Sequence, residues 1–365
     1  MRRMTWERVR AEYAVHRTST GCVNMMNTYV DAQFRPRLPM LPALQFVRPE
    51  VDWLNITNAE ALAAMSLTPS GAVRPLLTGN TKTRKSASVG MVTKILHLSP
   101  STESGFNTCT QATGVKRGVI TPGVGCAGNC LVNAGQMILD TSKASRILKT
   151  ALYVHFEEVF LWLLDEELTR HSRSVARLNM REARYGTSYI TGVRLNGTSD
   201  IQWVRHHRWL IDKHADIVFY DYTKYSYKWA SAHRVDRYNI RNYHTTYSLP
   251  STRRAHLRRA REWMRRGYNV AIVLRTRAQV EELLARGEFM GRYVIDGDES
   301  DARPLDKHES IGGWVLLYAK GHKACGINRE DDFFLDLHRA DLPTWEERTW
   351  VPLPAQYERE VTHVV

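Results

Sequence analysis

The sequence predicts an α/β fold: an incomplete parallel β/α barrel carrying an N-terminal extension. Three observations predict it. Apolar, β-branched segments recur at 89–98, 188–195, 216–220, 243–249, 269–274, 292–295 and 314–318, and helical or turn segments separate most of them. A long stretch at about 142–170 carries Ile147, Leu148, Ala151, Leu152, His155, Val159 and Trp162 at the helical period, as a crossover helix would. No Gly-x-Gly-x-x-Gly turn or Walker-type loop stands at any strand-to-helix junction, which weakens dinucleotide and NTPase readings. Seven strands in series favour a barrel with a strand missing or irregular over a flat doubly wound sheet.

Residues 1–75 lack a sustained period and contain Pro36, Pro39, Pro42 and Pro49, so they read as an irregular extension with short helices. A basic, polar stretch at 78–88 leads into the first strand, the core runs over 76–345, and 346–365 form a C-terminal tail. Residues 1–10 alternate charge and apolar residues without the apolar core expected of a secretory signal, and the longest strongly apolar run, 159–164, is too short to span a bilayer. The expectation is a cytoplasmic protein with no membrane partner. Five cysteines make a disulfide framework a poor explanation and favour thiols or metal ligands.

Lys plus Arg number 51 against 38 Asp plus Glu, a net charge of +13, which favours polyanionic partners through counterion release. Arg253, Arg254, Arg258, Arg259, Arg261, Arg265 and Arg266 crowd one helical segment beside a single Glu262, with Leu257, Ala260 and Met264 as the buried stripe. Tyr222, Tyr225, Tyr227 and Trp229 interleave with basic residues and are candidates to stack on unpaired bases. Nucleic acid, DNA before RNA, is the expected partner.

Chemistry in a parallel sheet belongs at the C-terminal strand ends. There the first strand runs into a loop bearing Cys109, Cys126 and Cys130. Three thiols make a metal site with an open position, the mark of a catalytic cluster; a structural zinc completed by a histidine is the alternative. The next strand ends in Arg194, Asn196, Ser199 and Asp200, a cation, an amide and a carboxylate read as cofactor-binding and catalytic groups, though Ser199 also suits a helix cap. Asp221 and Lys224 close the following strand, and Asp296 and Asp298 close a later one, with Asp296 the preferred general base. Lys320 and His322 follow the last strand.

The placement and number of the cysteines resemble the radical S-adenosylmethionine barrels, although the wide spacing here differs from theirs. This resemblance implies an iron-sulfur cluster and S-adenosylmethionine as cofactors, with zinc as the alternative. More of the chain resembles the gene product 88 proteins of phages and plasmids. The landmarks are Thr78-Gly79-Asn80-Thr81-Lys82-Thr83, the cysteine loop, Ala134-Gly135, 193–201, 219–224, Asn242-Tyr243-His244, Asn269-Val270-Ala271 and Gly297-Asp298-Glu299, covering roughly 76–325. The resemblance implies a mobile-element origin and a bacterial host cytoplasm. Here the spacer between Cys109 and Cys126 is longer than the family's, and Cys22 and Cys325 lie outside its landmarks.

The expected function is a phage-type enzyme that modifies a nucleobase or nucleotide, with Asp200, Asp221, Lys224 and Asp296 arranging cofactor and substrate. A deazaguanine-type base-exchange transglycosylase, with an aspartate nucleophile and zinc on the cysteines, is a second expectation. A non-catalytic, zinc-stabilised nucleic-acid-binding protein is a third.

Overall fold

The computed structural model describes residues 32–68, 70–133, 135–227, 242–319 and 333–338. Cys22, Trp229, Lys320, His322, Cys325 and the 346–365 tail lie outside them. The helices in chain order are α1 (Leu41–Val47), α2 (Asn58–Ser66), α3 (Thr81–Ser88), α4 (Gly125–Gly128), α5 (Asp140–His155), α6 (Glu157–Glu182), α7 (Trp203–His206), α8 (Arg208–Lys213), α9 (Arg254–Met264) and α10 (Arg277–Arg286). The strands are β1 (Leu77–Thr78), β2 (Met91–Leu96), β3 (Val115–Lys116), β4 (Val119–Ile120), β5 (Ile190–Arg194), β6 (Val218–Thr223), β7 (Tyr243–Ser248), β8 (Val270–Leu274), β9 (Glu288–Phe289), β10 (Arg292–Asp296) and β11 (Trp314–Tyr318).

Nine strands form one mixed sheet in the order β1-β2-β5-β6-β7-β8-β11-β10-β9, and β3 and β4 form a separate hairpin. The seven strands read from the sequence are its parallel body, from β2 through β11 to β10. The antiparallel edges β1 and β9 are two-residue strands too short to register as a sequence pattern. Among the described residues the sheet is open, with no strand pairing that joins β1 to β9. From β2 to β11 the spatial order follows the chain without reversal, so there is no topological switch point along that stretch.

Alternation along the strands sorts the side chains onto two faces. On one face Leu96, Val193, Phe219 and Tyr243 pack with Leu148, Leu152, Phe160 and Leu164 of α5 and α6 and with Trp203, Leu210 and Ile211 of α7 and α8. Farther along, Tyr247, Val270, Ile272, Trp314 and Leu316 pack with Leu257, Ala260, Trp263 and Met264 of α9 and Val280 and Leu283 of α10. The opposite face carries Met91, Val218 and Tyr220, and the residue that packs on them, Ala302, comes from the connection after β10. That connection reaches back to the other side of the sheet: Lys85 Nζ donates to Asp298 O (3.1 Å), Asp301 N donates to Ser86 Oγ (3.2 Å), and Asp301 pairs with Arg194 (3.2 Å).

Two local expectations change. The single helix at 142–170 is two, α5 and α6, broken at Phe156 (φ −136°, ψ 54°). No proline is responsible; the Phe156 ring is buried and stacked on Phe34 at 5.8 Å, so tertiary packing fixes the bend. The polar stretch before the first strand holds a full helix, α3, started by a capping box in which Asn80 Oδ1 accepts from Thr83 N and Thr83 Oγ1 accepts from Asn80 N. Residues 32–75 give Phe34, Met40, Leu44, Trp53, Leu62 and Met65 to the same core as α5 and α6. Glu167 of α6 anchors the chain just beyond, accepting from Leu76 N and Leu77 N at 2.8 Å each.

Candidate active site

The loop after β2 is pinned at its start, where Thr108 Oγ1 donates to Ser99 O (2.5 Å) and Ser99 N donates to Thr150 Oγ1 of α5 (2.8 Å). The spacer between Cys109 and Cys126 folds back on itself through the β3–β4 hairpin: Thr121 N donates to Gly114 O (3.0 Å) and Ala127 N to Thr113 O (2.9 Å). The extra residues are therefore looped out, and the chain at Thr113 meets the chain at Cys126. Glycine is required at this contact. A Cβ on Gly114 would lie 1.9 Å from Val124 O and one on Gly125 would lie 2.5 Å from Thr113 C, and both backbones are left-handed (φ +83° and +61°).

Cys126 and Cys130 lie four residues apart across the single turn of α4. Cys126 N donates to Thr113 Oγ1 (3.0 Å), and that hydroxyl donates to Pro250 O (3.1 Å), which ties the thiol loop to the connection between β7 and α9. Cys109 Sγ lies 3.7 Å from Thr198 O. Thr108 O accepts from Asp200 N (2.9 Å), so the thiol loop and the turn after β5 are stitched together.

Asp200 is buried and its Oδ2 accepts from Lys224 N (2.9 Å). Lys224 Nζ donates to Ser248 Oγ at the end of β7 (3.2 Å). Burial opposes the Lys224 charge, but Cys126, Asp200, Cys109 and Cys130 around it more than compensate, and its pKa is raised. Burial pushes the Cys109 thiol up to about 12 and raises Cys130, with Lys224 acting in the opposite direction on both. Burial also raises Asp200 against the pull of the Lys224 N–H and ammonium. Three thiols, one carboxylate and one ammonium thus share an electrostatic neighbourhood at the C-terminal ends of β2, β5 and β6. Among the described residues no group of three or more His, Cys, Asp or Glu side chains is already arranged around a single metal position.

The other expected site residues go elsewhere. Asn196 is satisfied within its own turn: Oδ1 accepts from Ser199 Oγ (2.9 Å), Ile201 N (2.9 Å) and Trp203 Nε1 (3.1 Å), and Nδ2 donates to Ile201 O (2.9 Å). Asn196 and Ser199 therefore build the turn that presents Asp200, and a cofactor would have to break those bonds to use them. Asp221 shares strand parity with Phe219, so it faces the helices, where it accepts from Asn196 N (2.6 Å) and from the Tyr243 hydroxyl. Asp296 is held by both terminal nitrogens of Arg277 on α10 (3.1 and 2.8 Å) and accepts from Asp298 N (2.9 Å). Asp298 joins the seam to α3 through Lys85.

Arg194 leaves the thiols for a second charged cluster on the sheet face away from the helices. It pairs with Asp301 and lies over the Tyr222 ring at 4.6 Å, and nearby Arg303 sits 3.0 Å from Asp306. His97, just past β2, faces the same positive charge; burial first, and then Arg194, Lys149 and Arg146, lower its pKa to about 3. Ser248, His97 and Arg303 were not among the sequence candidates. Ser248 and His97 stand at strand ends and were open to the same positional argument as Lys224, whereas Arg303 arrives from a connection whose path has no sequence signal.

The seven arginines follow expectation in part. Arg253, Arg254 and Arg258 are exposed and Arg259, Arg261, Arg265 and Arg266 half-buried, with Leu257, Ala260, Trp263 and Met264 underneath. Arg266 is committed inward, over the Tyr227 ring at 4.0 Å and beside Glu262 at 3.5 Å. Tyr227 also meets Trp263 edge-on at 5.1 Å, so it serves the core. Among the described residues no helix is long and apolar enough to cross a membrane.

No curated protein and no solved structure matches the chain. A family model does, over residues 74–331, a span that takes in the whole described sheet and every residue of the thiol site. By that match the chain belongs to the Gene product 88 family.

Proposed function

We propose that this Gene product 88 protein is an enzyme that modifies a nucleobase or nucleotide, with Cys109, Cys126 and Cys130 holding an iron-sulfur cluster that keeps one position open for S-adenosylmethionine. The observation that carries the reading is the convergence of three thiols, Lys224 and Asp200 on one set of strand ends, with the long spacer folded out of the way. Three thiols, joined by no fourth protein ligand among the described residues, suit a cluster with a free position better than a closed structural zinc. When bound, such a cluster supplies one-electron chemistry that side chains lack.

The residues of the chain have their own parts. Lys224 offsets the negative charge that three thiolates would bring, Ser248 orients its ammonium, and Asp200 fixes the Lys224 backbone. With Cys109 pushed to about 12, the metal-free thiol keeps its proton, so loading must displace it and becomes easier as pH rises. An aspartate nucleophile for base exchange is less well supplied, because Asp221 and Asp296 are already taken by Asn196, Tyr243 and Arg277. The fold part of the reading is an incomplete barrel, supported by α5 to α10 lying on one face and by the 298–306 connection crossing the other.

Anaerobic purification followed by absorbance, iron, sulfide and zinc measurements tests the proposal. A brown protein with iron and sulfide that are lost in Cys126→Ala is expected. Colourless protein holding one zinc, unchanged after reconstitution with iron and sulfide, would refute it.

A further inference from the structure

We infer that the outer stripe of α9 is a track for single-stranded nucleic acid leading to the thiol site. The inference rests on the functional reading above for its destination, while the track itself stands on separate observations. Arg254, Arg258 and Arg261 follow one another at four and three residues and so project from one side of the helix. Arg254 and Arg258 are exposed and Arg261 half-buried. The carboxylate of α9, Glu262, pairs with Arg266, and among the described residues no ion pair engages Arg254, Arg258 or Arg261. Three unneutralised guanidiniums on one helix face repel one another, an arrangement that favours a polyanion able to insert its own charges.

Position and dimensions select the occupant. α9 begins just after β7, so its N-terminal end stands at the same edge of the sheet as Lys224 and Ser248. The relay from Cys126 N through Thr113 Oγ1 to Pro250 O places the start of α9 against the thiol loop. Tyr225, whose hydroxyl meets Thr110 next to Cys109 (2.6 Å) and whose carbonyl accepts from Trp263 Nε1 of α9 (3.1 Å), closes the contact from the other side. Along the axis the three arginines span about 10 Å, the rise of roughly three nucleotides in one strand. A single row matches a single backbone. The thiols lie in a half-buried loop that a base reaches only outside a duplex.

Binding needs no chemistry and can be read by fluorescence anisotropy with a fluorescein-labelled mixed-sequence strand of about 20 nucleotides, alone and annealed to its complement. The Arg254→Glu/Arg258→Glu protein should bind the single strand at least tenfold more weakly than wild type, with a salt slope shallower by about 1.4, two contacts at ~0.7 each. Arg173→Glu/Arg177→Glu on α6 makes the same change in net charge at two exposed positions and should bind as wild type does. The duplex should bind more weakly than the strand. Unchanged binding by the α9 variant, an equal loss in the α6 variant, or a duplex bound as tightly as the strand would each overturn the inference. Iron and zinc content of the same preparations reports on the thiol site separately: a wild-type protein that holds no metal yet binds through the stripe sinks the cluster and keeps the track.

Discussion

Replacing Asp221 by asparagine should make the protein relatively more stable as pH rises. Asp221 is 3% exposed and accepts from Asn196 N and the Tyr243 hydroxyl, yet burial outweighs both bonds and lifts its pKa from 3.8 to about 7. A carboxyl whose folded value lies above its unfolded value contributes its stability in full below pH 3.8 and loses it as pH rises through about 7. The whole gap is worth roughly 4 kcal/mol, and the part between pH 5 and the folded value roughly 3 kcal/mol, at ~1.4 kcal/mol for each pH unit. Asparagine keeps an oxygen for Asn196 N and offers an N–H to the Tyr243 oxygen, so the site stays hydrogen-bonded without a titrating group. Asp306, raised to about 7 as well, and the carboxylates of lowered pKa such as Asp165 and Asp296 move total stability in opposite senses. They cancel in the difference between variant and wild type. Urea unfolding at pH 5 and pH 8 measures that difference. A shift of about 2–3 kcal/mol in favour of the variant between the two is expected. A difference that stays flat within ~0.5 kcal/mol would show that Asp221 is not buried as a strained carboxyl.

Two further substitutions separate the site from its surroundings. Gly125→Ala combines a left-handed backbone with a Cβ 2.5 Å from Thr113 C, so it should destabilise by about 2–4 kcal/mol and push the Cys126 turn away from Thr113. A lowered melting temperature with reduced metal uptake is expected, and full uptake at an unchanged melting temperature would contradict the packing argument. Asp296→Asn removes half of a pair whose partner, Arg277, is 36% exposed, so unfolding free energy should change by no more than ~1 kcal/mol, and metal content should not change. Loss of metal or of strand binding in that variant would restore Asp296 to the site.

The parallel body of the sheet was legible because its strands are runs of five or six residues rich in aliphatic, β-branched or aromatic side chains, Val270–Leu274 and Trp314–Tyr318 most clearly. The thiol loop was legible because three cysteines follow the first strand. Other features depended on distant partners. The bend at Phe156 needs Phe34, more than a hundred residues earlier, and the second charged cluster needs Asp301, which reaches Arg194 only because the chain after β10 crosses the sheet. The β3–β4 hairpin is two residues a side, below any period, and so the long spacer looked like distance when it is a detour.

Strand parity explains why some strand-end residues entered the site and others did not. Phe219 and Tyr243 pack against the helices, so in β6 every residue of odd number belongs to that face, Asp221 included. Tyr220 and Tyr222 belong to the other face, and Lys224 continues their parity to reach Ser248, which stands opposite in parity to Tyr243 and Tyr247 in β7. A carboxylate on the helix face meets fixed donors such as Asn196 N and Tyr243 and becomes structural, as Asp296 does with Arg277 of α10. Proximity to a strand end is therefore an incomplete criterion for a functional carboxylate. Once one large apolar residue of a strand is assigned to the core, counting by two from it separates Asp221 from Lys224 before any coordinates are needed. Asp200 escapes this division because it lies beyond β5 in the turn that Asn196 organises, where the chain has left the pleat and the hydrogen-bonded turn sets its direction.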